Sequence, residues 1–189
     1  MKKLILISIF VLIAGSLFAF GGGGGGIFFG YQTSNYPFLE ESVQKDIPNN
    51  GLGLSYFGGF GWGADRDGII SGGFGMSVMD IDKDTGITGG FGGVINGLQI
   101  LTWPVHLSLM SYTGFGGIYT GENENNPDSG FFVLSEEIDV EVGIPIFKWF
   151  MPSIFAGYQV SGNVIPGKMF SSYLSYSPVM GVRISWGSF

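Results

Sequence analysis

The chain ends in Pro178-Val-Met-Gly-Val-Arg-Ile-Ser-Trp-Gly-Ser-Phe189, an alternation with a period of two that runs into a terminal aromatic residue. Successive side chains of a β-strand point to opposite faces. Val182, Ile184 and Trp186 therefore share one side, while Gly181, Arg183, Ser185 and Gly187 share the other. A closing strand with one apolar face and one small or polar face reads as the last stave of a sheet that meets lipid on one side only.

The same alternation recurs upstream. Residues 51–63 set Leu52, Leu54, Tyr56, Phe60 and Trp62 against Gly51, Gly53, Ser55, Phe57, Gly59, Gly61 and Gly63. Residues 69–79 set Ile70, Phe74, Met76 and Val78 against Ser71, Gly73, Gly75 and Ser77. Phe132, Leu134, Ile138, Val140 and Val142 oppose Ser135, Glu137, Asp139, Glu141 and Gly143. Phe150, Ile154, Ala156, Tyr158 and Val160 oppose Ser153, Phe155, Gly157 and Gln159. The pattern predicts strands near 24–33, 51–63, 69–79, 87–101, 104–118, 130–143, 149–161 and 172–188. Alternation is less clean in the fourth and fifth of these, where a bulge or register ambiguity is expected.

Glycine supports an all-β reading. There are 35 glycines, where average usage of ~7% would give about 13. Each interior glycine costs a helix roughly 1 kcal/mol relative to alanine. Runs such as Gly58-Gly-Phe-Gly-Trp-Gly63 and Gly89-Gly-Phe-Gly-Gly93 are therefore poor helices. The hexaglycine Gly21–Gly26 lacks the Lys-Ser/Thr of a phosphate loop and reads as a flexible leader into the first strand.

The head of the chain, Met1 to Ala19, has two lysines, an apolar run and small residues at its end, the pattern of a secretory signal peptide. Cleavage after Ala19 leaves one domain, residues 20–189; Ser16 is the other candidate site. The formal net charge is −7 before that basic head is removed, which argues against nucleic-acid partners. No cysteine is present, so neither disulfides, thiolate metal sites nor a lipidated cysteine can operate.

Long or acidic links (residues 34–50, 80–86, 119–129 and 162–171) alternate with short ones (64–68, 102–104 and 144–148). Short periplasmic turns and longer outer loops are the pattern of an outer-membrane barrel, and an even strand number puts both termini on one side. Only 12% of the residues are charged, too few to cover the outside of a soluble barrel. The expectation is an eight-stranded antiparallel up-and-down transmembrane β-barrel in the bacterial outer membrane. Its lumen is expected to be lined with Gly and Ser, with aromatics facing lipid.

With this signal peptide, strand pattern and C-terminal Phe189, the mature chain resembles the small outer-membrane barrels typified by the OmpA transmembrane domain, OmpX and OmpW. The resemblance implies recognition by the barrel-insertion machinery through Val182, Ile184, Trp186 and Phe189. The terminal Phe189 departs from the usual parity, which calls for a register shift near Gly187 or a less standard signal. The resemblance also implies a non-enzymatic structural or interaction role, or a narrow pore for small solutes. No cofactor is expected; outer-membrane lipid and an envelope partner at the outer loops are.

Glu137, Asp139 and Glu141 fall on the inward parity of the sixth strand and Arg183 on that of the eighth, so they can meet across a narrow lumen. Such a set is either a charged gate or a polar plug. Phe57, Trp149, Met151 and Phe155 are on the parity taken as inward and would fill space there. Glu136 is on the apolar parity, so it is expected above the bilayer or beside a bulge. In the long loop, Asn35-Tyr-Pro-Phe38 is the apolar candidate for gripping a partner.

Two other readings remain open. His106 and Ser108 share a face of the fifth strand, and a His, Ser and acid set on a barrel's outside is what outer-membrane lipid A deacylases use. Glu122 is the nearest following acid, yet the topology puts it at the opposite end of the barrel. The other reading is a secreted soluble β-barrel binding an apolar ligand. Asp80-Ile-Asp-Lys-Asp-Thr-Gly86 spaces acids as a calcium loop does, but its glycine falls one place late and no Glu closes it, so it reads as a solvated turn and no metal is expected.

Overall fold

The computed structural model describes residues 22–34, 52–80, 87–120, 129–163 and 174–188. These form eight strands: β1 (Gly22–Ser34), β2 (Leu52–Ala64), β3 (Ile69–Asp80), β4 (Ile87–Leu101), β5 (His106–Thr120), β6 (Ser129–Gly143), β7 (Phe150–Asn163) and β8 (Leu174–Ser188). Each pairs antiparallel with its sequence neighbour, and β8 returns to β1 through pairs such as Gly23↔Ser188 and Ile27↔Ile184. Closure leaves no sheet edge exposed. The expected signal peptide, Phe189 and the expected outer-loop segment Asn35–Phe38 lie outside the described residues, as do Glu122 and residues 81–86 of the acidic segment.

Every strand falls where the alternation predicts, because the period-two signal is local. The expected irregularity is confined to one register shift between Gln99 and Leu101 at the β4–β5 junction. The β1–β8 ladder runs through Gly24↔Gly187 without a shift. The hexaglycine reading needs correction. Gly22 to Gly26 belong to β1 and pair on both sides, with Ala64 to Phe60 of β2 and, from Gly23 onward, with Ser188 to Ser185 of β8. Glycine carries the same backbone donor and acceptor as any other residue, and two flanking strands use both.

The larger correction concerns which face is inside. On β2 and β3 the apolar set points into the barrel: Leu54, Tyr56, Ile70 and Val78 are buried, and Phe60, Trp62, Phe74 and Met76 pack beside them. Ser71, Gly73, Gly75 and Ser77 face out. Phe57 also faces out, 45% exposed and stacked at 4.7 Å on Phe29 of β1. Trp149 is exposed in the turn before β7, whereas Met151 and Phe155 do point inward.

The interior therefore has two halves. Mainly on the β1–β5 side, Phe28, Leu54, Tyr56, Val78, Ile87, Phe91 and Ile118, joined by Val133 of β6 and Phe155 of β7, make one apolar cluster, and Ala64, Ile70, Ile95, Met110 and Tyr112 a second. On the β6–β8 side the buried side chains are mostly Ser, Gln, Asn and charged groups. A small barrel fills its interior with side chains. Here the apolar wall fills it opposite the polar one, which is why the larger apolar groups of β2 and β3 turn inward. The Gly and Ser left over go to the outside.

The turn from β2 to β3 is set by its own residues. The Asp65 carboxylate accepts from the backbone N–H of Asp67 and of Ile69, both at 2.9 Å, and Gly68 takes a φ of 83°. Aspartate in that role and glycine at positive φ are what a tight turn requires.

Candidate functional site

Arg183 enters the interior from β8 and is buried, with 2% exposure. Its Nη2 donates to Asp139 Oδ2 at 2.6 Å and its Nη1 to Glu141 Oε2 at 2.8 Å, with a longer Nη1 contact to Asp139 Oδ1 at 3.4 Å. The Ser153 hydroxyl of β7 donates to the other Glu141 oxygen at 2.6 Å. Glu137 is buried on the same wall, two positions along β6 from Asp139. The structure thus brings Arg183 against two of the three carboxylates expected to meet it.

These residues reach one another because of what flanks them. β6 and β8 are separated by β7, whose Gly157 pairs with Asp139 on one side and Val179 on the other. A Cβ at Gly157 would sit 2.6 Å from Asp139 Cβ, so only glycine leaves the Asp139 side chain its place. Gly181 of β8 does the same for Phe155, whose ring atoms would lie 2.5 Å and 2.7 Å from an added Cβ. That ring lies 3.9 Å from the Arg183 guanidinium carbon, and Tyr112 of β5 lies 4.9 Å away.

The guanidinium is thus flanked by two aromatic rings and bridges two carboxylates, an arrangement that offsets the cost of burying a charge through hydrogen bonds and cation–π contact. It lies inside the barrel among side chains of β5, β6 and β7. Tyr112, Ser153 and the two making-room glycines were not singled out from the sequence. Their signal is positional only: Tyr112 lies on a strand whose alternation is less clean, and the glycines look like any others.

The remaining candidates are placed differently from one another. Val182, Ile184 and Trp186 face outward from β8, with Val182 and Trp186 both 47% exposed. His106 and Ser108 face inward and are buried, with Ser108 paired to Glu141 across the β5–β6 ladder. A lipid A deacylase-like set requires its His and Ser on the outer wall, so that reading is overturned: the inward parity of β5 withdraws both from lipid.

For Glu136 the structure excludes the bulge. It sits midway along β6, paired with Thr113 and Val160 in ladders that run without a shift, neither above the strands nor at a bulge. What allows this is a pair of hydroxyls from the outer face of β5. Ser111 Oγ donates to Oε1 and Thr113 Oγ1 to Oε2, both at 2.5 Å.

No protein-family model and no curated protein matches this sequence. Among solved structures, the chain is similar to the crystal structure of Ail, the attachment invasion locus protein of Yersinia pestis, at 10% sequence identity with a TM-score of 0.47. That similarity covers 89% of this chain and 99% of the other.

Proposed function

We propose that the protein is an outer-membrane barrel of closed lumen, which acts through its outer surface and loops rather than by conduction or catalysis. The observation that carries the reading is the Arg183–Asp139–Glu141 cluster, buried between Phe155 and Tyr112 where a conduit would have to pass.

The membrane setting is supported by the outer wall. Among the described strand residues, Asp80, Glu137, Asp139, Glu141 and Arg183 are buried, which leaves Glu136 as the one charged side chain on the outside. Meanwhile Phe115, Phe132, Ile138, Ile154, Tyr158, Tyr176, Met180 and Trp186 are each about half exposed or more. A wall with one charge and a band of large apolar groups suits lipid and does not suit water. This weighs against the secreted soluble reading, as does an interior already filled by its own aromatic and aliphatic side chains.

The test is conductance in a planar bilayer, with folding checked by the mobility shift between boiled and unboiled samples. The wild-type protein is expected to be silent. Discrete cation-preferring openings, losing that preference in Glu137→Gln/Asp139→Asn/Glu141→Gln, would assign a narrow pore instead.

A further inference from the structure

Glu136 is the outer wall's single charge among the described strands, and its position is unusual for one. Along β6 its outward neighbours are Phe132 and Leu134 on one side and Ile138, Val140 and Val142 on the other, all exposed and apolar. On the reading of a membrane-inserted barrel, on which this inference rests, the carboxylate lies within the hydrocarbon belt. An ionisable group there is costly and marks function by default.

Its two hydroxyl partners fix the carboxylate's orientation without neutralising it. Each oxygen accepts one hydrogen bond, from Ser111 or Thr113, and retains acceptor capacity toward the outside. The described residues offer no countercharge at that depth. Among the described residues the other cations are Arg66 and Lys148, both in turns at the end of the barrel that carries Gly22 and Ser188, and Arg183, which is inside and committed to Asp139 and Glu141.

Farther round the barrel, two and three strands from Glu136, the outer wall carries smaller residues. Beyond Thr113 and its β4 neighbour Val94, the outer faces of β3 and β4 carry Gly73, Gly75, Gly90 and Gly92. A Cβ added at any of these meets nothing nearer than 3.4 Å, so each position has room for a side chain.

We infer that Glu136, held by Ser111 and Thr113, is the docking point for a membrane-spanning partner that brings a lysine or arginine to its depth. Charge complementarity selects this occupant. A second copy of the chain would present another Glu136 and no outward cation on its strands, so like charges would meet. A lipid headgroup carries its charge at the interface, separated from Glu136 by apolar side chains along the strand.

The experiment uses the full protein refolded into phosphatidylcholine vesicles, with insertion checked by flotation and by the gel mobility shift. The probe is a fluorescent single-span Leu/Ala peptide carrying one lysine at the depth of Glu136, compared with the same peptide carrying leucine there. Energy transfer from a donor on the barrel reads association. The expected result is at least tenfold tighter association of the lysine peptide, lost in the near-isosteric Glu136→Gln and weakened in Thr113→Val.

Equal association of the two peptides with inserted barrel overturns the inference, as does a lysine preference that survives Glu136→Gln. Barrel-to-barrel transfer that depends on Glu136 would give the site to a second copy and overturn it too. Protein that fails to float with the vesicles would instead overturn the membrane reading, and this inference with it.

Discussion

Arg183 and Asp139 meet at 2.6 Å although their strands, β8 and β6, are not neighbours in the barrel. The intervening β7 helps to permit this because Gly157, its partner to Asp139, has no side chain to crowd the carboxylate. The pair is thus a tie that spans β7 on the inner wall, and the glycine is as much a part of it as the two charges. Gly157→Leu is expected to destabilise the barrel by about 1–3 kcal/mol, the cost of overpacking a filled interior. Gly75→Leu, on the outer wall where an added Cβ would meet its nearest neighbour at 4.0 Å, is expected to change little. Urea unfolding in detergent micelles, read by tryptophan fluorescence, checks both; equal costs would contradict the assignment of faces.

Breaking the charged cluster differs from replacing it. Arg183→Met leaves Asp139 and Glu141 buried without their cation and is expected to cost about 3–5 kcal/mol. The triple variant Arg183→Met/Asp139→Leu/Glu141→Leu removes all three charges and is expected to be more stable than Arg183→Met alone. The same unfolding assay measures the order of the two. If the triple variant is the weaker, the cluster's hydrogen bonds contribute more than its desolvation costs.

The β2–β3 turn makes a smaller claim. Gly68 sits at φ 83°, and an added Cβ would approach Gln99 O at 3.0 Å. Gly68→Ala is expected to lower stability by about 1–2 kcal/mol, the cost of the left-handed region for an L-residue. Asp65→Ala, which removes the acceptor for the N–H groups of Asp67 and Ile69, is expected to act in the same direction. An unchanged urea midpoint in Gly68→Ala would mean that the turn re-forms with a different backbone.

The strands were legible in the sequence because alternation needs nothing but neighbouring residues. Which face lay inside was legible only where chemistry breaks the symmetry between the two faces. On β6, Glu137, Asp139 and Glu141 exclude their own face from lipid, and on β8 Arg183 does the same, so both strands were oriented correctly. On β2 and β3 neither face carries a charge except at Asp80, the last residue of β3. Alternation then states that Phe74 and Met76 oppose Gly73 and Gly75, and stops there. The choice is made by volume: a polar wall on β6–β8 cannot fill the lumen alone, and the bulky groups of β2 and β3 complete it. The setting of Glu136 is illegible for a related reason, since its two hydroxyl partners lie on another strand and no local pattern announces them.

That choice of faces is directly measurable, because the natural chain has no cysteine and single-cysteine variants give an unambiguous signal. Gly75→Cys and Ser77→Cys on β3 face outward and are expected to react with a membrane-soluble maleimide in folded, vesicle-inserted protein. Met76→Cys and Val78→Cys lie inward, Val78 at 1% exposure, and are expected to stay protected until the barrel is denatured. The contrast must reverse between adjacent residues, which separates a face effect from a depth effect, since neighbours along a strand differ by only ~3.4 Å. Labelling of Met76→Cys and Val78→Cys in place of the other two would return the apolar face of β3 to lipid and empty the half of the interior that Phe74 and Val78 now fill.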